Sequence, residues 1–562
     1  MKTSHLIIIA VAILTSCVVP PDSHNRTSQI DRVFEHWNNT TSPGCAVGIM
    51  KDGQIVLEKA YGMADLQHDI PNTIETVFEN GSVSKQFTAA AIVLLALDGK
   101  LTLDDDVREH IPEVPDYGEK ITLRHLMTHT SGLRDWGSVA SISGWPRHER
   151  SHNHDDVLNI ISRQAALNFH PGTEYSYSNT GYNLLAMVVA RVSGIPFAEF
   201  SMENIFEPFG LENTQWRDDH RRIVKGRSTA YRALENGKFE ILQPIEHVHG
   251  NGGLLTTVGD LLIWNQALED GTIGGQRFVE MMHEQGRLTD DSEITYAGGL
   301  QIDSFKGVKR ISHTGSTAGY RAFVSRYPEH QLSLASLCNS SDANPGLIRD
   351  QLAEIFIGEF LKDPEPPRAI TLTPEIVASY AGLYYEPVTG QTKQLEIKNG
   401  DLYDGNNKLT PTSPSVFLNP TTTTDYIFEI QKGNAKAFSL DSWQYTNKRY
   451  QKTTPWTPDI EELQTFTGTY SSEDSNTTYI VKIMNNQLAV EQEPGRIQAL
   501  TPLYKDAFVG KFGVPGFDTH WTSERFSSNG IIRFRRNKRD VATELSGSWG
   551  RVFDMRFKRQ TN

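Results

Sequence analysis

An α+β domain followed by two small antiparallel β-barrel domains is the architecture this sequence predicts. Three observations carry it. Residues 28 to 362 open and close in strand patterns, with helical patterns between them. Pro364-Glu-Pro-Pro367 then interrupts every periodicity and reads as a linker. Beyond it the chain repeats itself at a spacing of 86 residues, in short alternating strands separated by Gly, Asn and Pro. A chain of 562 residues also exceeds one ordinary core.

Residues 1–17 read as an export signal. Lys2 precedes an apolar run from Leu6 to Leu14, long enough for a signal-peptide core and too short to span a bilayer. The run ends in Leu14-Thr15-Ser16-Cys17, which resembles the lipobox of bacterial lipoproteins. That resemblance implies acylation of Cys17 and a periplasmic protein held to a membrane by its lipid. Ordinary secretion with cleavage nearby is the alternative. Cys45 and Cys338 are the other cysteines; they would form one disulfide or remain two buried thiols.

In the first domain, Pro43 to Tyr61 reads as a hairpin turning at Lys51-Asp52-Gly53. A helix follows Ser82 and stops at Asp98-Gly99, a short one covers Thr122 to Met127 and a longer one Asn179 to Val192, and Gly346 to Leu361 forms the last. Strands are expected at Gly298 to Ile302, Tyr320 to Tyr327 and Leu332 to Leu337. The second and third domains are expected at 372–454 and 457–560. Tyr380-Ala-Gly382-Leu-Tyr384 matches Phe466-Thr-Gly468-Thr-Tyr470, and Ile397-Lys-Asn399 matches Ile483-Met-Asn485. Two copies are too few for a solenoid, so each is read as a small barrel or sandwich.

The formal net charge of −14 argues against a nucleic-acid partner. The basic run Arg533 to Arg539 reads as a solvated strand end.

The chemistry begins at Ser82-Val-Ser-Lys85. A hydroxyl and an amine three residues apart at a helix start share one face. Serine needs a nearby base to become a nucleophile, and a desolvated lysine can supply one. Unpaired N–H groups at the helix start suit a developing oxyanion. Tyr177-Ser-Asn179 adds a phenol for proton transfer and an amide for orientation. His313-Thr-Gly315-Ser316 lies beside strand patterns, where small residues let a substrate approach the backbone.

In that order these motifs resemble the penicillin-recognising serine hydrolases. The spacing is similar to the branch holding class C β-lactamases, D-alanyl-D-alanine carboxypeptidases, D-aminopeptidases and related esterases. Thr122-Leu-Arg-His125-Leu-Met-Thr128-His-Thr-Ser-Gly132 and Gly250-Asn-Gly-Gly253-Leu-Leu-Thr256 resemble structural signatures of this branch. The resemblance implies a β-lactamase/transpeptidase-like catalytic fold over roughly residues 28 to 362. It also implies Ser82 as the acylated nucleophile, Lys85 and Tyr177 as its proton partners, and Asn179 as a substrate anchor. The N–H groups of Ser82 and Ser316 would form the oxyanion hole, with Gly315 and His313 at the substrate edge. His313 stands where β-lactamases carry lysine, and a histidine, mostly neutral at pH 7, is poorly suited to hold a substrate carboxylate.

The expected activity is acyl transfer on a small peptide, amide or ester, with D-amino-acid substrates favoured and no metal or organic cofactor. An esterase or β-lactamase of the same fold is the alternative, and a non-catalytic penicillin-binding sensor is a third reading. The β domains would cap the cleft, bind cell-wall polymer or hold a homodimer together. His148-Glu-Arg-Ser-His152 spells a zinc motif, but Gly144, Pro146 and the polar residues around it point to a loop over the cleft. No G-x-S-x-G occurs, which removes the α/β-hydrolase reading.

Overall fold

The computed structural model describes residues 21–560, apart from 273, 364, 366–367, 443–444, 493–494 and 512–528. The expected leader and Cys17 lie outside the described residues, as does most of the 364–367 break.

The first domain is built on a six-stranded antiparallel sheet. Its strands are β1 (Cys45–Lys51), β2 (Gln54–Tyr61), β3 (Gln301–Phe305), β4 (Val308–Thr317), β5 (Tyr320–Tyr327) and β6 (Leu332–Cys338). Their order is β3-β4-β5-β6-β1-β2, so β1 and β6 join the two ends of the domain side by side. The first hairpin turns through Asp52 and Gly53, both at positive φ (53° and 72°), as a tight two-residue turn requires.

Alternation along β1 sorts its side chains between two layers. Cys45, Val47 and Ile49 pack with Ile30 of α1 (Pro21–Val33) and with Ile348 and Leu352 of α5 (Pro345–Ile357). Ala46 and Met50 face the opposite layer, which holds α2 (Lys85–Leu97), α3 (Asn179–Ser193) and α4 (Val258–Asp270). Gly48 lets α4 lie close, because a Cβ there would meet Leu262 at 2.9 Å. Trp264 of α4 is buried against Phe87 of α2, ring centroids 4.4 Å apart. Among the described residues no single helix is long and apolar enough to cross a membrane.

The register places Cys45 directly opposite Cys338, and a disulfide joins them across β1 and β6. Two expected elements shift. The strand placed at Gly298 starts at Gln301, because Gly299 (φ 72°) turns the chain first. The last helix starts at Pro345 behind its Asn344 cap and ends at Ile357, with a single 3₁₀ turn, Gly358–Phe360, after it.

Beyond this domain, nine strands between Gly382 and Thr453 form one antiparallel sheet. Its two edge strands, Asn407–Lys408 and Thr410–Pro411, are separated in sequence only by buried Leu409, so the sheet curls into a barrel-like form. Tyr380, Tyr384, Phe417, Phe428 and Phe438 fill it. Eight strands from Gly468 to Arg559 close into a complete barrel. The repeat has a physical meaning. The Tyr384 hydroxyl donates to the Tyr380 carbonyl (2.7 Å), and the Tyr470 hydroxyl to the Phe466 carbonyl (2.9 Å). Two residues before each tyrosine stands a glycine, Gly382 or Gly468, at φ 143° or 149°.

Candidate active site

Ser82 lies in a 3₁₀ turn, Gly81–Ser84, that leads directly into α2 at Lys85. The Ser84 hydroxyl, bonded to the Asn80 side chain and the Gly81 carbonyl, fixes this turn from inside. The turn packs backbone to backbone on β4. A Cβ on Gly81 (φ 54°) would meet the Ser316 nitrogen at 2.6 Å. One on Gly315 would strike the Asn80 carbonyl and lie 3.2 Å from the Ser82 nitrogen. Glycine at both positions therefore brings the Ser82 and Ser316 segments together beside the nucleophile.

The position of the Lys85 amine is set by three oxygens. Nζ lies 3.2 Å from Ser82 Oγ, 2.9 Å from Asn179 Oδ1 and 2.6 Å from the Asn251 carbonyl. Lys85 is fully buried, and burial is the main reason its pKa falls well below the ordinary lysine value. The positive charges of Arg551 and Arg147 push in the same direction, against Asp135.

Tyr177 places its ring 4.8 Å from Lys85 Nζ. Its hydroxyl is buried and meets no partner at hydrogen-bonding geometry, although Ser82 and Tyr296 lie close enough to favour the phenolate. Burial outweighs them and pushes the phenol up to about 12, so Tyr177 is protonated at neutral pH. Asn179 opens α3, and its N–H donates to Asp135 Oδ2 (2.8 Å).

His313 sits inside β4 and is buried. Its Nδ1 lies 2.6 Å from the Thr314 carbonyl, which can only accept, so Nδ1 carries the proton. Nε2 then accepts from the Tyr296 hydroxyl at 2.9 Å. Burial, and secondarily the charge of Lys85, pull its pKa down to about 3. The third motif is therefore uncharged at neutral pH.

The structure brings Ser82, Lys85, Tyr177, Asn179, His313, Gly315 and Ser316 into one place. It adds residues the sequence did not single out. The Asn251 carbonyl and His129 both come from the stretches quoted as structural signatures, and His129 lies 4.2 Å from the Tyr177 ring. Asp135, Tyr296 and Arg551 carried no motif. The cleft beside Tyr177 is lined by Tyr175, Gln391, Lys448, Arg551 and Phe553, so both β domains contribute to its wall.

His148 and His152 do not share a helix. They lie in the chain between helices Trp136–Ile142 and His154–Ser162, where Glu149 pairs with Arg496 and His152 packs on Trp136. The basic run is ion-paired: Arg533 and Arg535 to Asp554, Arg536 to Asp506.

A family model described as Beta-lactamase matches residues 30–357, more than half of the chain. Penicillin-binding protein 4* of Bacillus subtilis is 27% identical over 444 residues, covering 74% of this chain and 96% of its own length. A D-aminopeptidase of Gluconobacter oxydans is 27% identical over 354 residues, 63% of this chain and 65% of its own length. This chain thus spans just under two thirds of that relative. An octameric penicillin-binding protein homologue from Pyrococcus abyssi shares the fold, with a TM-score of 0.53 at 23% identity over 85% of this chain and 99% of that one.

Proposed function

The chain belongs to the beta-lactamase family and is a serine hydrolase of that fold, and we propose that it cleaves amide or peptide bonds at D-amino-acid residues through an acyl-enzyme on Ser82. The observation that carries the chemistry is the surroundings of Lys85. The Asn179 Oδ1 and the Asn251 carbonyl can only accept. A neutral lysine donates its two N–H groups to them and turns its lone pair to the Ser82 hydroxyl. Burial favours that neutral form.

In the proposed sequence Ser82 Oγ attacks the substrate carbonyl and its proton passes to Lys85. The oxyanion gathers at the Ser82 and Ser316 N–H groups. Tyr177, a phenol at neutral pH, relays a proton to the leaving amine and is refilled from Lys85. Water then attacks the ester and loses its proton to Lys85, which returns it to Ser82 Oγ as the acid leaves.

Two observations favour a D-amino-acid amide over a β-lactam. His313 offers no positive charge to a carboxylate at neutral pH, and a D-aminopeptidase is among the relatives. A fluorophosphonate should label the wild type and not Ser82→Ala; absence of any Ser82-dependent adduct would overturn acyl transfer. D-amino-acid amides should then outrun their L-isomers and simple p-nitrophenyl esters by an order of magnitude or more. Equal rates on all three would remove the D-specific reading and leave an esterase.

We also propose export and lipid anchoring through Cys17. The leader pattern supports it, and so does the Cys45–Cys338 disulfide, which suits an oxidising compartment. Metabolic labelling with a radioactive fatty acid should mark the wild type, and a Cys17→Ser chain that still takes up label would refute the anchor.

A further inference from the structure

The tip of the last hairpin of the closed barrel reaches the acyl-transfer site. Strands Ala542–Trp549 and Val552–Arg559 are joined through Gly550 (φ 59°) and Arg551. A Cβ on Gly550 would meet Ser138 Oγ at 2.9 Å, so only glycine lets the tip sit this close. The Arg551 N–H donates to Ser138 Oγ (3.2 Å), and its carbonyl accepts from Asn168 Nδ2 (3.0 Å) and from the Asp135 N–H (3.3 Å). The guanidinium lies 4.7 Å from the centre of the Tyr177 ring and 3.4 Å from Asp135 Oδ2. That same carboxylate oxygen accepts the Asn179 N–H.

We infer that Arg551 is a positioning residue of the catalytic site, by which the second barrel holds Tyr177 through its ring and Asn179 through Asp135. The inference rests on the acyl-transfer reading of Ser82 and Lys85. It gives the second barrel a part in the chemistry, beyond a cap or a spacer.

The charge of Arg551 acts in the same sense as its geometry. Lys85 faces Tyr177 and Tyr182 from the α3 side, His129 and Asp135 from the chain before it, and His313 from β4. The fixed cations near it are Arg551 and Arg147. Arg147 is bound to Glu246, whereas Arg551 stacks on Tyr177 itself. Removing the Arg551 charge lets the Lys85 pKa rise, so more of the amine is protonated at neutral pH. The acid limb of kcat/KM then moves to higher pH.

The test uses the full chain with a fluorophosphonate and an amide substrate across pH. Arg551→Met should move the acid limb up by roughly one pH unit and slow labelling about tenfold along that limb. Arg551→Lys should keep the limb near its wild-type position and lose part of the plateau, because the guanidinium that contacts both the Tyr177 ring and Asp135 is gone. Arg551→Gln, which retains a donor for Asp135, serves as the second neutral variant if methionine loosens the tip. A limb that stays in place in both neutral variants, whatever happens to stability, overturns the inference. A wild type that takes no Ser82 label would instead overturn the acyl-transfer reading beneath it.

Discussion

The two C-terminal β domains are built from one repeat and put to different uses. Both open with a glycine and a tyrosine whose hydroxyl ties back to the carbonyl four residues earlier. The difference stands on the next strand. Opposite Tyr384 is Lys393, whose amine is buried against Asp404 inside its own domain. Opposite Tyr470, at the equivalent position, is Tyr479, whose hydroxyl donates to the Ile142 carbonyl of the catalytic domain (2.9 Å). The first domain keeps a core of its own. The second shares a continuous apolar cluster with the catalytic domain, in which Tyr479 and Phe557 belong with Val139 and Ile142. The first β domain meets the cleft through Gln391 and Lys448, whereas the second is also packed into the catalytic domain through one barrel face.

Two buried lysines measure how far that difference goes. Lys85→Ala should lower kcat/KM by about 10³-fold or more with the fold retained, because the base is lost. Lys393→Met removes another buried amine and should leave kcat/KM within about twofold, while the first β domain loses the ion pair to Asp404, which keeps only the Tyr426 hydroxyl. If Lys393→Met cost turnover on the scale of Lys85→Ala, the first domain would be as much a part of the site as the second. Docking of the second barrel is tested at Asp474, which pairs with buried Arg134 at 2.6 Å. Asp474→Ala should cost about 3–5 kcal/mol in urea unfolding. An unchanged midpoint would show that the barrel is held elsewhere. Removing the Cys45–Cys338 bridge by a double alanine substitution should cost about 2–5 kcal/mol. That loss should appear in unfolding of the catalytic domain, with the first β domain, which has its own core, unaffected.

The site was legible wherever chemistry dictates residue type within a short stretch. Ser82, Lys85, Tyr177, Asn179 and His313 announced themselves because nucleophile, base and anchor have few chemical substitutes. The repeat was legible because its glycines and tyrosines recur at one spacing. Arg551 was not: it bonds Asp135 across 416 residues of sequence, and a Gly-Arg hairpin tip looks like any other turn. Asp135 and Tyr296 were hidden for the same reason, since each acts by orienting another side chain. The cysteine pairing awaited the sheet register, which no local pattern specifies. The displaced strand start at Gly298 shows the opposite failure, in which two glycines read as strand form the turn before it.

The smallest expected effect probes the docking position most finely. Tyr479→Phe deletes one hydroxyl and keeps the ring, which stacks on Phe557 with centroids 4.4 Å apart. The Ile142 carbonyl would not be orphaned, because the Gln492 amide also donates to it. The cost should therefore be one net hydrogen bond, about 0.5–1.5 kcal/mol, without the larger penalty of an unsatisfied buried acceptor. The hairpin tip keeps its own bonds to Ser138, Asn168 and Asp135, so kcat/KM and its pH profile should not move. Tyr384→Phe, which deletes a buried hydroxyl in the first repeat, should cost a similar amount within its own domain only. A Tyr479→Phe chain that loses activity out of proportion to stability would show that the barrel face and the Arg551 tip move as one rigid unit. The strand at Tyr479 would then set the geometry at Tyr177, and the short contacts around the tip would only transmit it.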